Sequence, residues 1–132
     1  MSQENVEIVR HAYAAWTRND REPALAFFAE DIVWTPARED PDPRPHRGRQ
    51  GVRRFWAQWE ELFDDIRVEP EELTEVGDRV LSRLHVTGSG KGSGIDIDQR
   101  VYQVVELRDG AIVRVDEFYD RADALEAAGL SE

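Results

Sequence analysis

Apolar residues recur at helical spacing in the first half of this chain and alternate with polar ones through the second half. Val6, Val9, Tyr13 and Trp16 fall three and four apart, which predicts a helix over residues 3–18 with Ser2 as its cap. A shorter helix starts at Asp20, tolerates Pro23 in its first turn, and carries Leu25, Phe27 and Phe28 on its apolar side. Ile32-Val33-Trp34-Thr35 reads as a short strand ended by Pro36. Residues 37–49 are polar, rich in proline and aperiodic, so they read as a loop. A third helix spans 50–64, with Val52, Phe55, Trp56, Trp59, Leu62 and Phe63 forming a broad apolar face. Four strands follow at 66–76, 79–88, 95–108 and 111–119. Gly77-Asp78 and Asp109-Gly110 supply tight turns, and the glycine-rich stretch 88–94 reads as a flexible connection. A last short helix is capped by Asp120 and ended by Gly129.

Helices first and antiparallel strands after them predict an α+β fold, with helices packed on one face of a bent sheet. No repeat or linker divides the chain, so residues 1–132 are read as a single domain.

Strand alternation predicts which side chains face the helices. In the long strand, Ile95, Ile97, Gln99, Val101, Gln103, Val105 and Leu107 form the inward set, while Asp96, Asp98, Arg100, Tyr102, Val104 and Glu106 point away. In the preceding strand, periodicity favours Val80, Ser82, Leu84 and Val86 as core, which leaves Arg83 and His85 outside unless the interior is polar there. In the last strand, Val113, Val115, Glu117 and Tyr119 oppose Ile112, Arg114, Asp116 and Phe118. Hydrophobicity hardly separates those two sets.

Composition narrows the partners. The net charge is −11, so nucleic acid is not expected, because phosphate binding needs a basic face. Anionic membrane surfaces are disfavoured for the same reason, and no apolar run is long enough for a membrane helix. The N-terminal residues lack the basic start and apolar core of a signal peptide, so a cytoplasmic protein is expected. Without cysteine there is no disulfide, thiolate nucleophile or cysteine-type zinc site. The three histidines lack metal-ligand spacing, and the glycines at 88–94 do not lead a strand into a helix. No metal and no cofactor are therefore expected.

Chemistry is best sought at Glu117, a carboxylate on a strand of apolar neighbours, where burial would raise its pKa toward that of a proton-transfer group. Its plainer reading is a rim carboxylate paired with an arginine. His85 and Arg83 are further candidates, as an acid–base partner and a carboxylate-binding group, unless they simply pair with acids on the surface. Tyr13, Trp16, Trp34, Trp56, Trp59 and Tyr119 provide aromatic surface of the kind small-molecule pockets use. Gln99, Gln103, Val101 and Val115 complete the expected lining.

Four stretches carry a resemblance to a known family. They are Phe28-Ala29-Glu30-Asp31-Ile32-Val33-Trp34, Arg47-Gly48-Arg49-Gln50-Gly51-Val52, Gly92-Ser93-Gly94, and the closing run from Leu107 to Leu130. Together they resemble the SnoaL-like proteins of the nuclear transport factor 2-like superfamily. The resemblance implies a cone-shaped α+β barrel: three N-terminal helices packed on a curved, mostly antiparallel sheet, and a short C-terminal helix. It also implies an internal pocket for a small, largely apolar organic molecule, and a homodimer formed through the outer face of the sheet. It favours the inward setting of Glu117. Relatives include polyketide cyclases, ketosteroid isomerase and limonene epoxide hydrolase. The isomerase's tyrosine, base and acid fall near Ala12, Pro36, and Val101 or Tyr102, so that mechanism is not expected. The hydrolase's catalytic aspartate falls at Glu117 within Val115-Asp116-Glu117-Phe118-Tyr119-Asp120, and its Arg-x-Asp falls at Arg83-Leu84-His85. Trp34 and Pro36 stand where that enzyme's water-holding tyrosine and asparagine would be. Acid–base isomerase, cyclase or hydrolase chemistry is the leading expectation, with a non-catalytic ligand-binding or assembly module as the alternative.

Overall fold

The computed structural model describes residues 3–18, 20–92 and 94–130. Ser2, the expected first cap, lies outside them, as does Ser93 in the glycine-rich connection. Four helices, α1 (Gln3–Thr17), α2 (Arg21–Leu25), α3 (Gly48–Leu62) and α4 (Arg121–Ala128), accompany six strands. These are β1 (Phe28–Thr35), β2 (His46–Arg47), β3 (Phe63–Val76), β4 (Arg79–Gly90), β5 (Ile97–Arg108) and β6 (Ala111–Phe118). They form one sheet in the order β2-β1-β6-β5-β4-β3, antiparallel except where β1 runs parallel to β6.

Specific polar contacts tie the helices to this sheet. The Thr17 hydroxyl accepts from the Val68 N–H and donates to the Val68 carbonyl, both at 3.1 Å, which fastens the end of α1 to β3. Arg49 donates from Nε and Nη2 to the Phe28 carbonyl at 3.0 and 2.7 Å, joining α3 to β1. Arg21 is buried; it lies over the Trp16 ring at 3.8 Å, donates to the Trp16 carbonyl and pairs with Glu60. It therefore locks α1, α2 and α3 together by cation–π and charge-assisted contacts.

Several elements differ from the sequence expectation. The second helix stops at Leu25, and Phe28 opens β1 instead, because it pairs in parallel with Ile112. The loop 37–49 contains β2, whose Arg47 and His46 pair with Val33 and Trp34, and the His46 ring packs on Phe55 with centroids 4.5 Å apart. Leu62 is exposed at the end of α3, and Phe63 belongs to β3, where its ring stacks on Trp59. Ile95, expected inward, is 68% exposed, because β5 begins only at Ile97, after Gly94 at φ +73°.

The inner face of β5 follows the alternation, but Val104 of the outward set is buried as well, so the outer face of the sheet is covered at that point. Val101, Gln103, Val105 and Leu107 are buried, and Asp98 and Arg100 are exposed. Gln99 shares the inner face but is exposed. Strict alternation fails in β6. Its register shifts between Glu106↔Arg114 and Leu107↔Ile112, leaving Val113 as an extra residue. The bulge turns Ile112 onto the same side as Val115, so Ile112 rather than Val113 is buried. At the hairpin, Asp109 and Gly110 both have positive φ (53° and 80°), as a two-residue turn of primed type requires. Asp120 caps α4 by accepting from the Ala122 N–H at 2.8 Å, and Gly129 ends it in the left-handed conformation.

Candidate active site

Register builds the site. Ser82 on β4 pairs with Gln103 on β5, and Gln103 pairs with Glu117 on β6. Residues paired across a sheet share a face, so these three polar side chains form one row in the otherwise apolar interior. Tyr13 reaches the row from α1, and Trp34 reaches it from β1.

The contacts form a directed chain. The Tyr13 hydroxyl donates to Gln103 Oε1 at 2.7 Å, and Gln103 Nε2 donates to Glu117 Oε2 at 2.9 Å. Trp34 Nε1 donates to Glu117 Oε1 at 3.1 Å. A carboxylate can only accept, so the amide nitrogen of Gln103 must face Glu117 and its oxygen must face the tyrosine proton. Ser82 is fully buried beside Tyr13, and its hydroxyl makes no hydrogen bond of standard geometry among the described residues.

Desolvation dominates the electrostatics, although Glu117 and Tyr119 are each only part-buried at the cavity wall. It pushes the Glu117 carboxyl up to about 7, against the stabilising hydrogen bonds from Gln103 and Trp34, and the charge of Asp40 adds to the rise. Burial also raises Tyr13; Ser82 opposes that rise and Glu117 adds to it. Tyr119 is raised by burial and then by Glu117 and Asp40, while Gln99 opposes. Both phenols are therefore neutral near neutral pH.

These groups border a cavity of about 130 Å³. Tyr13, Trp16, Trp34, Trp56, Trp59, Gln99, Val101, Gln103, Val115 and Tyr119, the candidate ligand-binding residues, border this cavity. Glu117 joins them. Trp56 is the hub of the aromatic wall, with ring centroids 6.0 Å from Trp16, 5.9 Å from Trp34 and 5.7 Å from Phe28, all close to edge-on.

Arg83 and His85 are not part of this site. They sit on the opposite face of β4 from Ser82 and Leu84, and neither borders the cavity. Arg83 Nε lies 3.5 Å from Glu71, and His85 Nε2 lies 2.7 Å from Asp98. Simple alternation read their side correctly, and the proposed match to the hydrolase Arg-x-Asp places them wrongly. Two polar residues went unmarked in the sequence reading: Ser82, buried in the row beside the cavity, and Asp40, on the cavity wall. Ser82 was a polar residue on a core-facing set, which was a usable signal. Asp40 comes from the aperiodic loop after β1, where no pattern marks it. Among the described residues, no cluster of three or more potential ligands is placed to hold a metal ion.

Comparison with known proteins bears on the family and the fold. A family model described as SnoaL-like domain matches residues 9–115. Among solved structures, an NTF2-like protein from Burkholderia xenovorans LB400 is 30% identical, with a TM-score of 0.76, over 97% of each chain. A protein with a ketosteroid isomerase-like fold from Catenulispora acidiphila DSM 44928, solved with trimethylamine, is 21% identical with a TM-score of 0.76; the alignment covers 94% of this chain and 93% of that one. TerC, co-crystallised with polyporic acid, is 22% identical with a TM-score of 0.78, over 96% of this chain and 98% of that one. The last two show the shared fold. No curated protein matches the chain significantly. Among the described residues, no helix is long and apolar enough to cross a membrane.

Proposed function

The chain belongs to the SnoaL-like domain family, and from that premise we propose that it binds a small, largely apolar organic molecule in the cavity and moves a proton on it with Glu117. The observation that carries this reading is one carboxyl group, set at an apolar cavity and held on both oxygens by Trp34 and Gln103. Each oxygen keeps a lone pair for a substrate. A group titrating near 7 is present in both its proton-accepting and proton-donating forms at neutral pH, which suits it to take a proton from one atom and return it to another.

That economy favours isomerisation or cyclisation over hydrolysis. Moving a proton within one substrate needs one such group. Hydrolysis needs a held water as well, and Pro36 offers no polar side chain while the Trp34 indole is spent on Glu117. Two solved structures of the same fold were obtained with small molecules, trimethylamine in one and polyporic acid in the other, which supports reading the cavity as a ligand site.

Deuterium exchange tests the reading. Single-ring enolisable ketones are incubated in D2O, and loss of the exchangeable C–H signals is followed by NMR. The native protein is expected to accelerate exchange, and Glu117→Gln to lower that acceleration by about 10²-fold or more. Full exchange activity in the variant refutes the catalytic role. Ligand binding without exchange in the native protein supports the binding-module alternative.

We also propose that two chains associate through the outer face of the sheet, as the resemblance implies. Arg83 and Arg100 on that face already pair with Glu71 of their own chain, so any contact between chains must be made around these pairs. Light scattering at micromolar concentration is expected to give twice the chain mass of 15.2 kDa. The single-chain mass at every concentration rejects the dimer.

A further inference from the structure

The cavity is charged in one sense only. Among the described residues that line it, Asp40 and Glu117 are acids, and none is a lysine, arginine or histidine. Of the nearby basic side chains, Arg21 turns to Glu60, Arg49 to the Phe28 carbonyl, Arg83 to Glu71 and His85 to Asp98, while the His46 ring packs on Phe55 without bordering the cavity itself. The protein thus supplies no counter-charge inside the cavity, and its overall charge of −11 adds to the negative field.

The remaining wall is aromatic. Tyr13, Trp16, Trp34, Trp56, Trp59 and Tyr119 all border the same space. Aromatic faces attract cations through the ring quadrupole, most strongly where water is excluded. An anion entering here meets two carboxylates in a poorly screened site. A neutral molecule leaves the Glu117 charge uncompensated. A cation removes that penalty and gains the aromatic contacts as well. Volume sets the size: about 130 Å³ is close to the roughly 150 Å³ apolar cavity that accepts one benzene.

We propose that the occupant is a compact organic cation, an ammonium or quaternary ammonium on an apolar body of about one ring, with its charged end beside Glu117 and Asp40. The proposal rests on reading the cavity as a ligand site and adds the charge class of the ligand. Besides Asp40, the titratable groups facing Glu117 are Tyr13 from α1 and Tyr119 just after β6, and both are held neutral. Gln103 and Trp34 face it as uncharged donors. The charge a ligand meets is therefore that of the two carboxyl groups. A bound cation keeps Glu117 ionised, which is the form that accepts a proton.

Three probes of similar size test this: phenyltrimethylammonium, its uncharged carbon isostere tert-butylbenzene, and benzoate. Binding is followed by tryptophan fluorescence and by ligand NMR at pH 8. The cation is expected to bind on the order of ten-fold more tightly than the isostere, and benzoate not to bind detectably. Glu117→Gln should reduce the cation to the level of the isostere while tert-butylbenzene still binds, and Asp40→Asn should remove part of the difference. The quaternary ion carries no transferable proton, so the result is independent of catalysis. If tert-butylbenzene binds as well as the cation, or if the cation keeps its advantage in both variants, the charge class is wrong and the ligand site stands. If none of the three binds, the ligand-site reading fails with it.

Discussion

At pH 8 the Glu117→Gln protein is expected to be more stable than the native one by about 3 kcal/mol, and at pH 4 the two should be equal. The glutamine amide stands in for the neutral carboxyl. In the folded chain the group titrates at about 7, against an ordinary value of 4.5. Below 4.5 it is protonated whether the chain is folded or not, and its contribution is fully present. As pH rises from 4.5 toward 7 the unfolded chain releases the proton first, so the folded state loses stability across that window; above it the loss is constant. Each unit of the difference is worth about 1.4 kcal/mol. For a chain of this size the gain corresponds to roughly 10 °C in Tm. The interior can accommodate the change. Turning over the Gln103 amide lets its oxygen accept from the new amide and its nitrogen donate to Tyr13. The tyrosine proton is then free for the Ser82 hydroxyl, the one buried oxygen of the row that makes no hydrogen bond of standard geometry among the described residues. Thermal melts at both pH values decide the matter, and equal stability at pH 8 contradicts the enclosed carboxylate.

Trp56→Ala is the second large effect. The side chain is 4% exposed and touches Trp16, Phe28 and Trp34 edge-on, so its removal leaves a hole at the centre of the aromatic wall. Loss of a buried aromatic side chain costs about 3–5 kcal/mol, a large part of the roughly 5–15 kcal/mol that holds a typical domain together. Urea unfolding should show a sharply lower midpoint. A midpoint within about 1 kcal/mol of the native protein, relative to that expected cost, would mean that the wall does not carry the core.

Much of the architecture was legible because it rests on local pattern. The alternation through β5 identified Val101, Gln103 and Val105 as interior, and alternation in β4 set Leu84 inward and Arg83 and His85 outward. Asp109-Gly110 and Asp120 announced a hairpin and a cap through turn chemistry alone. Pattern failed where pairing with a distant strand took over. Phe28 joined β1 because Ile112 lies beside it, and the bulge at Val113 exchanged the two faces of β6 partway along its length. The same bulge explains why hydrophobicity could not assign Glu117 to a face: an apolar residue of each set, Ile112 and Val115, is buried. The site depends on contacts of still longer range. Trp34 and Glu117 are 83 positions apart, Tyr13 and Gln103 are 90 apart, and only tertiary packing brings each pair together. Family resemblance supplied the inward setting of Glu117 that local pattern lacked. Its match for Arg83 and His85 did not survive, because side-chain parity along a strand outweighs an alignment that can slip by one residue.

The proposed chemistry rests on the state of one carboxyl group. Its most direct test is an NMR titration of the Glu117 side-chain carboxyl carbon, assigned by the signal that disappears in Glu117→Gln. A midpoint of about 7 is predicted, with the native fold retained on both sides of it. A midpoint near 4.5, the ordinary value, would place the group in water and contradict the enclosed site.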